Sequence, residues 1–253
     1  MPSVLGVDIA ASNYDEVVEK CTAWAQARES RTVVFVDAHG IMQAYDKPSF
    51  RADMNSADLA NPDGMPIVWA LRAFGAPQAS RVYGPDATLA LLGAAQQSGI
   101  PVGFYGASAL TLAKLIVEVK RRFQGIHIAF QMSPPFRQLT DEEDEAIVRQ
   151  IGDAGVRWLF VGLGCPRQER WIMAHKGRIP AVLFAVGAAF DFIAGTKPQA
   201  PRWMMRNGLE WAFRLGSEPR RLAGRYFRTI PRFMALVGYQ WFTRNVRQAA
   251  KAS

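Results

Sequence analysis

The sequence contains little cysteine and histidine: two cysteines, Cys21 and Cys165, and three histidines among 253 residues. The cysteines do not have the spacing of a metal-binding motif, and two isolated cysteines favour a reducing compartment over a disulfide scaffold. Cys165 lies in a glycine-rich turn with no histidine nearby in sequence. We interpret it as a small residue tolerated in a tight turn and not as a nucleophile.

Long apolar runs and two common nucleotide-binding motifs are also missing. No run of 18 apolar residues occurs, so we predict no membrane-spanning helix. The start, Met-Pro-Ser-Val-Leu-Gly, has no basic segment followed by an apolar one, so we expect no signal peptide. G-x-G-x-x-G and Gly-Lys-Ser/Thr are absent, which argues against a nicotinamide site and a Walker loop. A nucleotide held mainly by backbone groups and arginines remains compatible with the sequence.

Acidic residues are scarce in the last fifth of the chain. Residues 197–253 hold 12 of the 30 Lys and Arg but only 2 of the 22 Asp and Glu, together with nine large aromatic residues. This mixture is typical of proteins that bind an anionic membrane surface or a nucleic acid, and a solvated basic face is the third interpretation. The nearly apolar segment 233–242 fits a helix in a membrane interface. The arginines that flank it are Arg228, Arg232, Arg244 and Arg247.

The rest of the chain alternates between strand and helix patterns, and 49% apolar content predicts a packed core. Such alternation implies right-handed crossovers and a parallel sheet. We therefore predict an α/β fold: a Rossmann-like, mostly parallel sheet flanked by helices, with a core at 1–196 and a basic helical appendage at 197–253. Helices are predicted at 14–27 (capped by Ser12 or Asn13), 48–54, 87–98, 109–123 and 141–154, and strands at 32–36, 57–59, 102–105, 126–130, 158–161 and 182–186.

Three of the predicted strands end in glycine, and two of them lead directly into helices. Ligands of open α/β sheets bind beyond the carboxyl ends of the strands, where backbone N–H groups and the positive end of a helix dipole suit a phosphate. The stretch 160–169 also has a proline that opens a polar helix. An ordinary strand-to-helix turn is the alternative. The binding residues that these turns would supply are Gly106, Ser108, Gly162, Gly164, Arg167, Gln168, Glu169 and Gly187.

A carboxylate occupies the sequence Asn61-Pro62-Asp63-Gly64. Pro-Asp-Gly is a common turn, so one interpretation is a turn that carries a solvated carboxylate. The other is a rigidly held base that takes a proton from a sugar hydroxyl, because such a hydroxyl needs this help to act as a nucleophile at neutral pH.

Blocks of sequence that occur in a fixed order make the chain resemble the WecG/TagA/CpsF glycosyltransferases, glycosyltransferase family 26. The resemblance runs from about residue 30 to about residue 230. The matching blocks are NPDG at 61–64, VYGPD at 82–86, GFYG at 103–106, SPPF at 133–136, GLGCPRQE at 162–169, VGAAFDF at 186–192, APRW at 200–203, GLEWAFRL at 208–215, EPRRL at 218–222 and RY at 225–226.

The resemblance implies an inverting transfer of a sugar from a UDP donor to a polyprenyl-diphosphate-linked saccharide, without a bound metal ion or other cofactor. It implies that the enzyme lies on the cytoplasmic membrane face and self-associates, often as trimers. Asp63 matches the proposed general base and Gln168 a glutamine near the donor. Arg214, Arg221 and Arg225 match appendage residues thought to stabilise the leaving diphosphate, as arginine can. From two further matching blocks we add Pro135 and Asp191 to the substrate-binding residues.

The chain departs from the family at Thr-x-Asn, where Asp37 and His39 replace the threonine and asparagine. This change indicates a different acceptor or donor sugar, and we count both residues as substrate-binding. His39 is either a second base or a hydrogen-bonded structural histidine, and we assign the base to Asp63. N-acetylmannosamine, glucose and glucuronic acid remain open as donor sugars. The alternatives are a nucleic-acid-binding module that uses the basic tail and a nucleotide-sugar transferase with a soluble acceptor; we expect no nucleic-acid partner.

Overall fold

The computed structural model describes residues 2–252, apart from the side chains of Arg225 and of residues 247–252. Its strands are β1 (Ser3–Val4), β2 (Val7–Asp8), β3 (Arg31–Val36), β4 (Leu59–Pro62), β5 (Val102–Gly106), β6 (Ile128–Met132), β7 (Trp158–Gly162) and β8 (Val182–Ala185). Its helices are α1 (Tyr14–Gln26), α2 (Ala38–Asp46), α3 (Pro48–Asn55), α4 (Met65–Ala73), α5 (Gly84–Ser98), α6 (Ala109–Arg122), α7 (Asp141–Asp153), α8 (Arg167–His175), α9 (Ala189–Ile193), α10 (Arg202–Arg206), α11 (Glu210–Ser217) and α12 (Pro219–Ala252).

Six of the strands form one sheet in the order β4-β3-β8-β7-β5-β6, and every neighbouring pair is parallel. The central strands are apolar on both faces, as Trp158, Leu159, Phe160 and Val161 of β7 show, because helices cover both sides of a parallel sheet. One apolar layer lies on each face of the sheet. The predicted α/β class with a mostly parallel sheet is confirmed.

Local sequence signals account for most of the helix starts. Asn13 caps α1 by accepting a hydrogen bond from the Glu16 N–H, as one of the two predicted caps required. Thr140 and Glu143 form a reciprocal capping box at the acidic start of α7. Pro166 precedes the polar helix α8, as its sequence predicted.

Several predicted boundaries were wrong. The strand expected at 57–59 runs instead from Leu59 to Pro62, so the supposed turn 61–64 contributes two residues to β4. Asn61 is buried and accepts a hydrogen bond from the Ser12 hydroxyl at 2.6 Å, which fixes it inside the fold. Helix α5 begins at Gly84 and not at residue 87, and the sequence analysis assigned no element to α2, α4 or the β1–β2 hairpin.

The C-terminal segment is helical and packs against the core. Phe233 of α12 is 1% exposed and belongs to the apolar layer on one face of the sheet. Gln240 exchanges hydrogen bonds with the N-terminal hairpin, accepting from the Leu5 N–H at 2.9 Å and donating to the Ser3 carbonyl at 3.0 Å. The helix expected over 233–242 is present, and protein covers the inner face of α12; its place in a membrane interface stays a prediction.

Among the described residues, no helix is long and apolar enough to cross a bilayer. The division at 196/197 remains a prediction.

Candidate functional site

Two cavities open at the carboxyl ends of the parallel strands and meet at a shared wall. One has a volume of about 390 Å³ and is lined mainly by apolar side chains; we call it the apolar cavity. The other has a volume of about 510 Å³ and is lined by glycine-rich turns and charged side chains; we call it the polar cavity. The residues common to both linings are Asp37, His39, Asp63, Tyr83 and Arg214.

Asp63 lies immediately after β4, where the two cavities join. Its backbone N–H donates to the Val36 carbonyl at 3.0 Å, which extends the β3–β4 pairing by one residue and fixes the position of the side chain. Burial raises the pKa of the Asp63 carboxyl to about 7, the Arg81 guanidinium opposes this rise, and the Glu210 and Asp37 carboxylates add to it. A carboxylate with a pKa near neutrality is well suited to accept a proton during turnover.

Arg81 and Glu210 form a charged cluster with Asp63 that the sequence analysis missed. The Arg81 Nε donates to the Asp63 backbone carbonyl, and an Arg81 η-nitrogen lies 2.5 Å from Glu210 Oε2 but 3.6 Å from Asp63 Oδ1. The Tyr83 hydroxyl donates to Glu210 Oε1 at 3.3 Å. The matching blocks at 82–86 and 208–215 ran beside or through these residues, but nothing local indicated that they meet.

Gln168 and Glu169 are buried at the start of α8 and line the polar cavity. Gln168 Oε1 accepts from the Gly164 N–H at 3.1 Å, and its Nε2 donates to Glu169 Oε1 at 2.9 Å. Glu169 Oε2 is buried without a hydrogen-bond partner among the described residues. Burial raises the pKa of Glu169 to about 7, against the opposing hydrogen bonds from Gln168 and from the Cys165 thiol.

Two of the strand-end glycines make room for the protein itself. A Cβ atom on Gly106, where φ is +124°, would lie 2.5 Å from the Gly162 carbonyl oxygen. A Cβ atom on Gly162 would lie 2.6 Å from the Phe190 ring. Gly106 itself is absent from both cavity linings, and its approach to a pyrophosphate stays a prediction. Gly162, Gly164 and Gly187 do line the polar cavity.

Cationic side chains face the polar cavity from the C-terminal segment. Arg214 lies over the Phe192 ring at 5.7 Å, and Arg221 of α12 pairs with Glu218, the residue between α11 and α12. Lys197, which the sequence analysis did not select, lies 3.1 Å from Asp191, and both line the cavity. The structure thus brings two of the three predicted arginines to the predicted cleft, whereas the Arg225 side chain lies outside the described residues.

Ser108, Asp37 and His39 also border the polar cavity. The Ser108 hydroxyl caps α6 by accepting from the Thr111 N–H at 3.1 Å. Asp37 caps α2 in the same way, accepting from the Gly40 N–H at 2.7 Å. Threonine and aspartate both serve as N-caps, which explains how aspartate can replace the family's threonine there without loss of the helix start.

Two other predicted binding residues lie outside both linings. Arg167 is exposed on the first turn of α8. Pro135 is exposed as well, although its neighbour Phe136 borders the polar cavity with 82% of its side chain exposed. Arg167 does not border the cavity that Gln168 and Glu169 line, and its contact with the same ligand stays a prediction.

The apolar cavity lies between α4 and the C-terminal helices. A Cβ atom on Gly208 would lie 2.7 Å from the Trp69 ring, so the approach of the two segments depends on this glycine. The cavity thus has an apolar wall from the core and another from the appendage. Its larger apolar lining residues are Met65, Pro66, Trp69, Met205, Leu209, Trp211, Ile230, Phe233 and Met234.

The outer face of α12 continues from this cavity as a mixed apolar and basic surface. Large apolar side chains that are about half or more exposed lie beside exposed arginines, among them Arg228 and Arg232, while Arg247 has no described side chain. Arg232 pairs with Asp46 of α2 at 2.6 Å. The exposed apolar residues of this face are Phe227, Met234, Tyr239, Trp241, Phe242 and Val246.

Comparison with known proteins identifies the family of the chain and a relative that covers most of it. Residues 2–247 match the model described as the glycosyl transferase WecG/TagA/CpsF family. A protein of Bacillus spizizenii (strain ATCC 23059 / NRRL B-14472 / W23) is 33% identical over 196 residues, which cover 77% of this chain and 74% of the relative. That relative is named N-acetylglucosaminyldiphosphoundecaprenol N-acetyl-beta-D-mannosaminyltransferase. The family match includes every residue that lines the two cavities.

Proposed function

Because the chain belongs to the WecG/TagA/CpsF family and is a glycosyltransferase of lipid-linked polysaccharide synthesis, we propose that it moves a sugar from UDP to a polyprenyl-diphosphate-linked saccharide. The observation that carries the proposal is the meeting of a polar and an apolar cavity at Asp63. The polar cavity suits a nucleotide diphosphate and the apolar cavity suits the lipid-linked acceptor.

The polar cavity holds the donor in this proposal. Lys197, Arg214 and Arg221 supply positive charge, and Gly187 borders the cavity at a strand end, where phosphates bind. Arginine binds phosphate oxygens in a bidentate manner and stabilises the charge that develops on a leaving diphosphate. These side chains perform the charge neutralisation that a metal ion provides in other transferases, so we propose a metal-independent reaction.

Asp63 acts as the general base. Its carboxylate takes the proton from an acceptor hydroxyl as the hydroxyl oxygen forms a bond to the anomeric carbon. The bond between that carbon and the β-phosphate oxygen breaks, and UDP leaves with the electron pair. Because the acceptor enters from the apolar cavity and UDP leaves on the polar side, the attack comes from the face opposite UDP and inverts the anomeric configuration.

The name of the Bacillus relative makes N-acetylmannosamine the first donor sugar to test and a GlcNAc-diphosphate lipid the first acceptor. Selection between sugars rests on a few hydrogen bonds in the polar cavity. Glu169, whose Oε2 has no partner among the described residues, and the pair Asp37 and His39 are the groups placed to make them.

The enzyme would work while attached to the cytoplasmic face of the membrane by the outer face of α12. Its half-exposed aromatic residues can enter the headgroup region, and each nearby arginine contributes on the order of 1 kcal/mol on an anionic leaflet. Flotation with anionic liposomes tests this attachment, with neutral liposomes and a DNA-binding assay as the comparisons. Binding to DNA without flotation would instead favour the nucleic-acid alternative.

A UDP-release assay tests the reaction. We expect release from one UDP-sugar of a panel of N-acetylmannosamine, glucose and glucuronic acid donors, only with a short polyprenyl-diphosphate saccharide present and unchanged by EDTA. Turnover should rise with pH through about 7, because the Asp63 carboxyl must lose its proton to act as a base and its pKa is about 7. The proposal would be contradicted if UDP were released without an acceptor, or if no UDP were released from any of the donors.

A further inference from the structure

We propose that Arg81 and Glu210 form a positioning pair through which docking of the C-terminal appendage converts Asp63 from an ion-paired carboxylate into a competent base. The inference rests on the proposed role of Asp63 as the base. It concerns two residues that contact Asp63 or its partner and that belong to different parts of the chain: Arg81 precedes α5 in the core, and Glu210 begins α11 in the appendage.

The Arg81 guanidinium contacts three segments at once. Its Nε donates to the backbone carbonyl of Asp63, one η-nitrogen reaches Glu210 Oε2 at 2.5 Å, and the other lies 3.4 Å from the Met205 carbonyl. The side chain is only 15% exposed and lies over the Tyr83 ring at 4.3 Å. A planar guanidinium held in this way has little freedom to turn toward another acceptor.

The distances show which carboxylate holds the charge of Arg81. The same η-nitrogen lies 2.5 Å from Glu210 but 3.6 Å from Asp63, so the strong pair is with the appendage. Glu210 is fixed in turn by the Tyr83 hydroxyl. If Glu210 moved away with α11, the nearest carboxylate left for Arg81 would be that of Asp63.

Docking therefore changes the surroundings of Asp63 in two ways. It withdraws Arg81 toward Glu210, and it adds the negative charge of Glu210 and the burial that the appendage provides. All of these changes disfavour the ionised form of Asp63 and raise its proton affinity, and the raised pKa of this carboxyl agrees with that direction. A base with a pKa far below neutrality would be ionised but weak, so docking strengthens it.

Other charged and titratable groups also face Asp63, and the test must separate their effects from that of the pair. Arg214 lowers the pKa of Asp63 and Asp37 raises it. Among the described side chains, these groups are Arg81 and Tyr83 just before α5, Asp37 and His39 at the start of α2, Tyr14 of α1, and Glu210 and Arg214 of α11.

The experiment is a ¹³C-carboxyl NMR titration of Asp63 in the full-length protein without substrates, with the resonance assigned by its loss in Asp63→Asn. We expect Glu210→Gln to lower the pKa of Asp63 by about one unit or more, because a negative charge is lost and Arg81 becomes free to pair with Asp63. We expect Arg81→Gln to raise this pKa and Arg81→Lys to leave it closer to that of the wild type.

The matched control is Asp46→Asn. Asp46 and Arg232 also join the core to the appendage by an ion pair, at 2.6 Å, but Asp46 lies outside both cavity linings. Loss of the Asp46–Arg232 ion pair in Asp46→Asn should leave the pKa of Asp63 unchanged. If Glu210→Gln does not fold, Glu210→Asp keeps the charge on a shorter side chain and should lower the pKa of Asp63 by a smaller amount.

Opposite shifts from the two partners distinguish a positioning pair from a merely structural one, since loosening of the fold would move the pKa in the same direction in both variants. Shifts of the same sign, or none, would overturn the proposal. Because the titration needs no substrate, it tests the Arg81–Glu210 pair even if no UDP-sugar is turned over. Where turnover is measured, the acidic limb of the pH profile of kcat/KM should move with the pKa of Asp63 while the KM for the donor stays within about twofold.

Discussion

The polar and apolar cavities share one wall but are built from different parts of the chain. The polar cavity is formed mostly by strand ends and helix starts of the core, with Lys197, Arg214 and Arg221 from the C-terminal segment. The apolar cavity takes one wall from α4 and the other from α10, α11 and α12. The comparison teaches that the core alone supplies most of the polar cavity, whereas the apolar cavity needs the C-terminal helices for one of its walls.

The shared wall is the most sensitive place to test this comparison. We expect Asp63→Asn to reduce kcat about 10²- to 10⁴-fold, the contribution typical of a positioned general base. Circular dichroism should show an unchanged fold, and binding of UDP should persist because asparagine nearly matches aspartate in size. The control is Asp53→Asn, which changes an aspartate of α3 outside both linings. Turnover of Asp63→Asn near the wild-type rate would assign the base elsewhere.

Among the lysines and arginines whose side chains are described, only Arg214 borders both cavities, so its loss should affect both substrates. We expect Arg214→Met to lower kcat/KM about 100-fold, in keeping with one or two lost hydrogen bonds to a charged diphosphate. Arg214→Lys should recover part of this loss, since it keeps the charge but not the planar fork. Arg206→Met, at an exposed arginine of α10, is the control in the same UDP-release assay. Equal effects of Arg206→Met and Arg214→Met would make the role one of general charge.

Variants confined to one cavity should separate the two substrates. Trp69→Ala enlarges the apolar cavity, and we expect it to raise the KM for the polyprenyl acceptor about tenfold, because an apolar contact is lost. It should leave the KM for the UDP-sugar unchanged. Lys197→Met, in the polar cavity, should raise the KM for the UDP-sugar a few-fold and leave the KM for the polyprenyl acceptor unchanged. If either variant changed both KM values equally, the division of the cavities between donor and acceptor would be wrong.

The smallest effect concerns stability on the polar side. The raised pKa of Glu169 stabilises the fold fully below the pKa of an unfolded glutamate, and this contribution is lost as the pH rises toward the folded value of about 7. We expect the free energy of unfolding of Glu169→Gln to exceed that of the wild type by about 2 kcal/mol at pH 8 and to equal it at pH 4, as measured by urea denaturation. Glu19→Gln, at an exposed glutamate, is the control for the substitution itself. An equal difference at both pH values would mean that Glu169 is not buried as a neutral acid.

The sheet was predictable because buried parallel strands have short, continuous apolar sequences, as at 158–161 and 182–186. β4 was misplaced because Asn61 and Pro62 have the composition of a turn. The structure accommodates them at a sheet edge, where proline is tolerated and the Asn61 amide bonds to Ser12 and to the Val34 carbonyl. Tertiary partners outweighed the local preference at these two positions.

The candidate site divides in the same manner. Gln168, Glu169 and the glycine turns could be selected because their place at a strand-to-helix junction is a local property. Gly106 was selected in the same way, from its place between a strand and a helix start, but the sequence did not indicate that the Gly162 backbone packs against it. Arg81 and Glu210 are 129 residues apart, and no periodicity or turn signal connects residues at that separation.

By itself, the sequence determined the α/β class, the charge of the C-terminal segment, the family and the selection of Asp63, because each depends on local pattern or on ordered blocks of residues. Only the tertiary structure decided that the core covers the inner face of α12, that two cavities meet at Asp63, and that Arg81 pairs with Glu210. These outcomes depend on which distant surfaces become buried together, since burial sets both the proton affinity of a carboxylate and the partner that a guanidinium can reach.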